Sequence, residues 1–176
     1  MTDTASLLPP GRRHRLDAEF LADLPYDPSV LLIDHEIVVT EDAVHATMRT
    51  DVPLPFTVAQ RTHPTRHPAH VNGGTIIHLT GMLAFVHAYH VHGLRHRDGW
   101  IGFGARIERA DFQKLVTLGP PMVMSCTATR HRIGTHRGMV RYDYVMRQQG
   151  ALVYSSHQIG YYQNMDVQGT GEGVVP

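Results

Sequence analysis

The sequence predicts an α+β fold in which one antiparallel sheet wraps around a single long central helix. Its only long helical pattern covers residues 74–92, and the apolar positions spread around most of that helix. A helix that is apolar nearly all round is a buried helix. After it the apolar residues repeat with a period of two in four segments, which is typical of strands. An antiparallel sheet can bury one face against such a helix.

Shorter elements precede the long helix. Residues 16–24 predict a short helix, and residues 31–39 and 44–50 predict two strands joined by a turn at residues 40–42. Consecutive strands joined by a short turn form an antiparallel hairpin. In the second strand, three apolar residues share one face: Val44, Ala46 and Met48.

A long irregular segment, residues 51–69, separates the hairpin from the helix. It contains four prolines and no sustained period, and irregular segments of this length in compact domains are often functional. The strands predicted after the helix are residues 100–112, 122–132, 139–147 and 152–162. The element order is therefore hairpin, long loop, buried helix and four-stranded meander.

The length of 176 residues fits one domain. We expect a flexible N-terminal arm over residues 1–15, a single domain over residues 16–163 and a flexible, glycine-rich tail over residues 164–176. One helix cannot cover the edges of such a sheet, so we expect two copies to pair as a homodimer or a higher homo-oligomer.

Composition narrows the classes of function. No run approaches the ~18 to 20 apolar residues of a membrane span, and residues 1–15 lack the apolar stretch of a secretion signal. The formal net charge is zero, which argues against bulk electrostatic attraction to nucleic acid. Cys126 is the only cysteine, so the chain forms no internal disulfide, and we expect a reducing, cytoplasmic location.

The start of the long helix has the features of a site for a carbonyl group. It opens at Asn72-Gly73-Gly74, where a helix presents unpaired N–H groups and the positive end of its dipole. Glycines let a substrate approach the backbone closely, because they lack a Cβ. The alternatives are structural: the glycines make a tight turn, and Asn72 caps the helix rather than orienting substrate or water.

Several segments resemble the hot-dog thioesterases. The likeness to their meander is carried by Asp111-Phe112, Gly119-Pro120-Pro121-Met122-Val123-Met124, Arg132-Ile133-Gly134 and Gln149-Gly150-Ala151-Leu152-Val153. The helix entrance resembles the His-Gly-Gly start of the same proteins, with Asn72 in place of the histidine. The resemblance implies the hot-dog fold and an acyl-thioester substrate.

A closer resemblance is to the FcoT-like fatty-acyl thioesterases of this fold. It rests on Leu31-Leu32-Ile33-Asp34, Thr40-Glu41-Asp42-Ala43-Val44, His70-Val71-Asn72 and Leu83-Ala84-Phe85. It implies hydrolysis of carrier-protein or coenzyme A thioesters, either alone or after Michael addition of glycine to the β-carbon of an α,β-unsaturated acyl group. We expect no cofactor and no metal.

The sequence departs from the wider hot-dog pattern within the helix. The acidic residue of many hot-dog thioesterases falls near Gly81, and residues 76–91 contain no carboxylate. Dehydratases of this fold pair a loop histidine with an acid inside the helix, so the missing acid counts against them. A 3-hydroxyacyl-thioester dehydratase or hydratase and a non-catalytic acyl-binding module remain as alternatives.

The proton acceptor is therefore expected in the histidine-rich loop before the helix. Histidine titrates near neutral pH, and one of His63 or His67 is predicted to be the general base. The alternative is that both are solvated loop residues. His70 fits the FcoT-like motif, where it binds substrate or orients the turn, and His78 either faces the acyl channel or is a core histidine.

Further candidates come from the resemblance and from chemistry. Tyr26 and Thr80 match positions at which the FcoT-like proteins contact substrate. Four arginines are candidates for a phosphate of the thioester donor: Arg61, Arg66, Arg95 and Arg97. Two histidine sets invite a zinc interpretation, namely His63, His67 and His70, and His87, His90 and His92, but neither matches a known ligand spacing.

Overall fold

The computed structural model describes residues 4–166 of the chain. Within them the α-helices are α1 (Ala18–Asp23) and α2 (Gly73–His92). The strands are β1 (Arg12–Arg15), β2 (Glu36–Val39), β3 (Ala43–Met48), β4 (His70–Val71), β5 (Trp100–Phe112), β6 (Val116–Thr117), β7 (Met122–Ile133), β8 (Arg137–Gln148) and β9 (Ala151–Asn164). Short 3-10 turns lie at Thr4–Leu7, Pro28–Val30 and His96–Asp98.

Seven strands form one antiparallel sheet in the order β1-β2-β3-β7-β8-β9-β5. Strands β4 and β6 form a separate antiparallel pair. Helix α2 packs on the sheet, with ten of its twenty residues buried. The predicted α+β architecture, one antiparallel sheet around one long helix, is confirmed.

The core lies between α2 and the sheet. Alternate residues of β8 are buried, as the period of two predicts, and they meet the buried face of α2. The buried core cluster includes, from α2 and β8, Leu79, Leu83, Val86, Val140, Tyr142, Tyr144 and Met146. Burial of this apolar area fixes how α2 is rotated against the sheet, and therefore which of its residues face a ligand.

The predicted hairpin is present, and its first strand is shorter than expected. Strands β2 and β3 pair antiparallel, with Val38 opposite His45. The prediction of a strand over residues 31–39 is wrong for residues 31–35. The N–H of Leu31 closes a 3-10 turn on the carbonyl of Pro28, and Leu32 has a φ of 57°. A left-handed residue cannot continue an extended strand.

The expected flexible arm is corrected in part. Arg12–Arg15 form β1, which pairs with β2 and places Arg13 opposite Val38. The arginine-rich sequence gave no strand signal, because β1 lies at the edge of the sheet and its burial is low. At the other end, the expected tail begins with Asn164, the last residue of β9, and residues 167–176 lie outside the described residues.

The long loop over residues 51–69 is present as predicted. Within it the described structure has one isolated bridge, between His63 and His67. The loop ends in β4, which the sequence did not predict because the strand has only two residues. Helix α2 follows one residue later and ends at Gly93, a left-handed cap with a φ of 65°.

The described residues contain no helix both long and apolar enough to cross a bilayer.

The four later strands match the predicted segments to within two residues at each end. The turn between β8 and β9 uses Gln149 and Gly150, both with positive φ, which is the geometry of a two-residue hairpin turn.

Candidate active site

The start of α2 is capped by the side chain of Asn72. Its Oδ1 accepts a hydrogen bond from the backbone N–H of Thr75 at 3.0 Å, and its Nδ2 donates to the carbonyl of Pro55 at 3.4 Å. The capping alternative for Asn72 is therefore present in the structure. Its amide is used in holding the long loop to the helix.

Two N–H groups at the helix start remain available. Within the described residues, the amides of Gly73 and Gly74 have no hydrogen-bond partner, whereas Thr75 donates to Asn72. Gly74 is exposed. Free amides at the positive end of a helix of twenty residues stabilise a nearby negative charge.

Both glycines are also constrained by their neighbours. A Cβ on Gly73 would lie 3.2 Å from the ring of Phe112, and a Cβ on Gly74 would lie 3.0 Å from Oδ1 of Asn72. The absence of these side chains therefore preserves the helix cap and the close approach of Phe112. The half-exposed ring of Phe112 forms an apolar wall beside the amides.

The predicted loop histidines are exposed. The backbones of His63 and His67 exchange hydrogen bonds of 2.7 and 3.1 Å. Nδ1 of His63 accepts from the backbone N–H groups of Thr65 and Arg66, at 3.3 and 3.1 Å. That nitrogen is therefore occupied as an acceptor. The ring of His67 packs edge-on against His70, with the centroids 5.1 Å apart.

His70 anchors the loop to β4. Its backbone N–H and carbonyl bond to the side-chain amide of Gln60, at 3.2 and 2.8 Å. Its ring nitrogen Nδ1 lies 2.8 Å from the carbonyl of Pro68, and since a carbonyl only accepts, Nδ1 carries the proton. These contacts fit the expectation that His70 orients the turn before the helix.

A cavity of about 350 Å³ lies between α2 and the β5–β9 end of the sheet. Two predicted substrate-binding residues line it, Tyr26 and His78, and Gly81 lies one turn further along the helix. The other lining residues are Ile77, Met82, Ala84, Phe85, Gly102, Phe103, Gly104, Tyr144, Gln158, Ile159, Gly160 and Tyr162. The loop histidines and the helix-start glycines are outside this lining.

Thr80 lies behind the cavity wall and is buried. Its hydroxyl donates to the carbonyl of Ile77 at 2.7 Å and lies 3.2 Å from Oε1 of Gln158. The amide of Gln158 donates in turn to Ser156 at 3.0 Å. The hydroxyl proton of Thr80 is therefore used by the carbonyl of Ile77, and Thr80 does not line the cavity, whereas Gln158 does.

His78 is held by a backbone carbonyl. Its Nε2 lies 2.6 Å from the carbonyl oxygen of Val30, so Nε2 carries a proton and donates it. Val30 is the last residue of the 3-10 turn that Asp27 caps. From the sequence, His78 is either a residue that faces the acyl channel or a histidine of the core. The structure makes it half-buried and places it on the cavity wall.

The wall of the cavity contains no carboxylate among the described residues. A Cβ on Gly81 would meet nothing within 4 Å, so this glycine leaves open space on the cavity wall. Burial raises the pKa of Tyr144 and of Tyr162 well above the usual range of a phenol. Both tyrosines therefore stay protonated at neutral pH.

In the second histidine set, at the end of α2, His87 is held by structural contacts, whereas Nε2 of His90 and Nε2 of His92 are buried without a hydrogen-bond partner among the described residues. Nε2 of His87 lies 3.1 Å from the carbonyl of Asp42, and Nδ1 lies 3.3 Å from the hydroxyl of Tyr142, so both ring nitrogens are engaged. Burial lowers the pKa of His87 to about 4, with a smaller contribution from His92. In the described part of the chain no group of three or more histidine, cysteine or acidic residues could hold a metal ion.

The candidate phosphate-binding arginines separate into two pairs. The guanidinium of Arg95 lies 3.3 Å from the ring centroid of Tyr89, and Arg97 forms a 2.6 Å ion pair with Glu19. These two are engaged in structural contacts. Arg61 and Arg66 lie exposed in the histidine-rich loop.

Several residues of the candidate site carry no signal in the sequence. Gln158 and Phe112 come from strands far along the chain, and no local pattern distinguishes them from other strand residues. The acceptor for His78 is a backbone carbonyl, which every residue possesses. Only the three-dimensional arrangement identifies these partners.

Solved structures share this architecture. Thioesterase HI1161 from Haemophilus influenzae is 20% identical over 78% of this chain and 82% of that chain, with a TM-score of 0.51. A mutant of thioesterase PA1618 from Pseudomonas aeruginosa is 15% identical over 85% and 95%, with a TM-score of 0.56. The dehydratase heterocomplex ApeI:P from Xenorhabdus doucetiae is 12% identical over 81% and 90%, with a TM-score of 0.54.

At these identities the likeness identifies the fold alone, and this chain has the hot-dog fold. No family model matches the chain, and no curated protein matches it. The reaction must therefore be argued from the residues of the site.

Proposed function

We propose that this protein hydrolyses acyl thioesters. One observation carries the proposal: the free N–H groups of Gly73 and Gly74 lie on a helix that borders a 350 Å³ cavity. His78 of the cavity wall lies four residues after Gly74, hence on the same face of the helix. A thioester carbonyl can meet the amides while its acyl group enters the cavity.

The chemistry follows from where charge develops. When water attacks a thioester carbon, negative charge grows on the carbonyl oxygen. Two fixed N–H groups at a helix start stabilise that charge without reorganising, and each such donor typically lowers the barrier by about 3 kcal/mol. The apolar ring of Phe112 lies beside Gly73 and borders the position where the carbonyl oxygen would bind.

The sequence assigns the proton acceptor to His63 or His67. Of the two, His67 is the better placed chemically, because no hydrogen bond in the described structure engages its ring, whereas Nδ1 of His63 already accepts two. Both are exposed, so either would reach the amides only through movement of the loop or from a second copy of the chain.

We also propose that two copies pair through β5. This strand lies at the end of the sheet order, and its outer edge has no partner among the described strands. Phe103 and Ile107 project from it with about half of their surface exposed, 50% and 48%. Pairing of two such edges would satisfy the backbone and cover these side chains.

The finer features of the substrate rest on the FcoT-like resemblance. It favours a fatty-acyl group on a carrier protein or on coenzyme A, and it leaves open the addition of glycine to an α,β-unsaturated chain before hydrolysis. Both donors carry a phosphate next to the pantetheine arm. Arg61 and Arg66, exposed in the loop before α2, have the charge to contact it.

A dehydratase or hydratase is the second candidate, because the fold is also that of the dehydratase heterocomplex described above. The same amides would stabilise the enolate of that reaction. It also requires an acid or base at the β-carbon, and the described cavity wall offers no carboxylate for this step. A non-catalytic acyl-binding module is the third outcome.

The test uses the purified full chain with acyl thioesters of increasing length, saturated and 2,3-unsaturated, on coenzyme A and on a carrier protein. A disulfide reagent measures the thiol that is released, and mass spectrometry identifies the acyl product. Cys126 adds little background, since it is fully buried and burial raises the pKa of its thiol.

Thiol release with formation of a free acid supports hydrolysis. A gain of one water with the thioester intact identifies a hydratase, and binding without any change of mass identifies an acyl-binding module. In a parallel reaction with glycine, a product carrying the mass of glycine supports the dual reaction. Hydrolysis at an unchanged rate without an adduct excludes it.

A further inference from the structure

We propose that His78 is the general base of the reaction, a role that rests on the proposed function. His78 lies in the first half of α2 and faces the cavity. This assignment moves the proton transfer from the exposed loop to the cavity wall. It also supplies a proton acceptor on a helix that has no acidic residue. His78 and Gly81 line the same wall of the cavity, one helical turn apart.

The hydrogen bond to Val30 selects one tautomer of His78. Because Nε2 must donate its proton to the carbonyl oxygen 2.6 Å away, the neutral ring carries its lone pair on Nδ1. Among the described residues Nδ1 has no hydrogen-bond partner. A neutral imidazole with one nitrogen tied to a carbonyl and the other free is prepared to accept a proton.

The orientation of the ring is fixed as well. The carbonyl of Val30 belongs to a 3-10 turn in which the N–H of Val30 bonds to Asp27 and Oδ1 of Asp27 accepts from Ser29. The turn therefore presents a rigid acceptor. When Nδ1 takes a proton, the ring becomes a cation, and its Nε2–H bond to the same carbonyl strengthens.

His78 is the one described residue on the cavity wall that offers a basic ring nitrogen without a hydrogen-bond partner. The wall contains no carboxylate, cysteine or lysine, and His78 is its one histidine. The phenols of Tyr144 and Tyr162 stay protonated, since burial raises the pKa of each. Gln158 is neutral, and its amide is bonded to Ser156 and Tyr154.

The distance to the amides suits one reacting group. His78 lies one turn after Gly74, so about 6 Å separate them along the helix axis. Side chains of a helix lean towards its N-terminus, which brings the ring of His78 closer to the amides. Because Gly73 and Gly74 lie outside the cavity lining, the thioester group would bridge this interval between the amides and His78.

Hydrolysis begins with transfer of a proton from water to His78. Nδ1 of His78 takes a proton from water as the water oxygen bonds to the thioester carbon, and the carbonyl electron pair moves to the oxygen beside Gly73 and Gly74. The oxyanion then re-forms the carbonyl, the carbon–sulfur bond breaks, and the thiolate takes the proton back from Nδ1. The products are a carboxylic acid and a thiol, and His78 is neutral again.

The test compares His78→Gln with the wild type on the best thioester from the panel described above. The amide nitrogen of glutamine can still donate to the carbonyl of Val30, but the side chain cannot act as a base. We expect kcat to fall by roughly a hundredfold to ten-thousandfold. Binding of a thioether analogue of the substrate should stay unchanged, which shows that the site is folded.

Two further variants complete the design. In His78→Ala, added imidazole should restore part of kcat, because it can occupy the emptied space and accept the proton; a structural histidine would not respond in this way. His136→Ala is the matched control, since His136 lies exposed in the turn between β7 and β8, and this variant should keep full activity.

A His78→Gln variant as active as the wild type would overturn the assignment. Loss of activity in His67→Ala combined with normal activity in His78→Gln would return the base to the loop. A wild type that leaves every thioester in the panel intact defeats the proposed function itself. That result is visible before any variant is made, so the two failures are distinguishable.

Discussion

Oδ1 of Asn72 accepts a hydrogen bond from the backbone N–H of Thr75 at 3.0 Å, and this contact sets where α2 begins. Asn72→Ala removes the cap, and we expect the free energy of unfolding to fall by about 1 kcal/mol. Denaturant unfolding measures this change. An unchanged midpoint would show that the cap contributes nothing.

Asn72→Asp separates the structural role of this residue from its effect on chemistry. Aspartate caps as well as asparagine, but it cannot donate to the carbonyl of Pro55 as Nδ2 of Asn72 does, so we expect only a small loss of stability. Its negative charge lies beside the amides of Gly73 and Gly74 and opposes the oxyanion, so kcat should fall by about tenfold or more, equivalent to 1.4 kcal/mol per tenfold. If both stability and kcat match the wild type, no anion forms at these amides.

Gly74→Ala should disturb the same contact from the other side. The new Cβ would lie 3.0 Å from Oδ1 of Asn72, so the cap must shift and the amides move with it. We expect lower kcat together with lower stability, followed by thiol release and thermal unfolding. A variant with normal values of both would show that the start of the helix tolerates displacement.

Gly81→Ala is the control for Gly74→Ala, since it makes the same substitution later in the same helix. A Cβ there meets nothing within 4 Å, and alanine favours a helix over glycine by about 1 kcal/mol. We therefore expect a higher free energy of unfolding, measured by urea titration. A lower value would mean that the space beside Gly81 is filled in the folded protein, for instance by a second copy of the chain.

His87 should make stability depend on pH. Burial lowers its pKa to about 4 in the folded protein, whereas an unfolded histidine titrates near 6.5. The unfolded chain therefore binds the proton first, and the free energy of unfolding falls as the pH drops from about 6.5 to 4. His90 contributes in the same direction, because burial lowers its pKa to about 4 as well.

Unfolding in urea at several pH values measures this slope, which is up to about 1.4 kcal/mol per pH unit for each proton. His87→Gln should make the slope smaller, although the variant is less stable overall. His136→Gln, in the exposed turn, should keep the slope of the wild type. Equal slopes in the wild type and His87→Gln would contradict the burial argument.

The proposed pairing through β5 can be tested at Ile107, whose side chain is 48% exposed. Ile107→Glu places like charges near each other if two β5 edges meet, so we expect a shift from dimer to monomer in analytical ultracentrifugation. The exposed Met139 of β8, replaced by glutamate, is the control for added charge alone. A wild type that sediments as a monomer would exclude the pairing.

The elements with strong periodicity were predictable from the sequence. Helix α2 and the strands β5, β7, β8 and β9 appear where the period of their apolar residues indicates. Gly93 ends the helix as expected, since a left-handed cap favours glycine. Elements whose conformation depends on a distant partner were not predictable. Strand β1 is extended because it pairs with β2, and its arginines show no pattern typical of a strand.

The same distinction holds for the candidate site. The position of Gly73 and Gly74 at the helix start was predictable because a helix start needs no distant partner, and their role stays a prediction. The role of His78 depends on a carbonyl 48 residues earlier in the chain and on a cavity closed by β5 and β9, neither of which a local pattern reveals. The general base was predicted in the loop because that segment is rich in histidine. In the described structure His63 and His67 are exposed.

The outer edge of β5 also bears on how the chain avoids aggregation while it folds. A strand of thirteen residues whose outer edge has no partner among the described strands is a template onto which foreign strands can add. Two β-bulges interrupt its register, at Gly104/Arg106 and at Ile107/Arg109, and charged side chains alternate with the apolar ones between them. Irregular, charged edges resist unselective strand addition. Neutral replacements of Arg106 and Arg109 should therefore reduce the yield of soluble protein during synthesis.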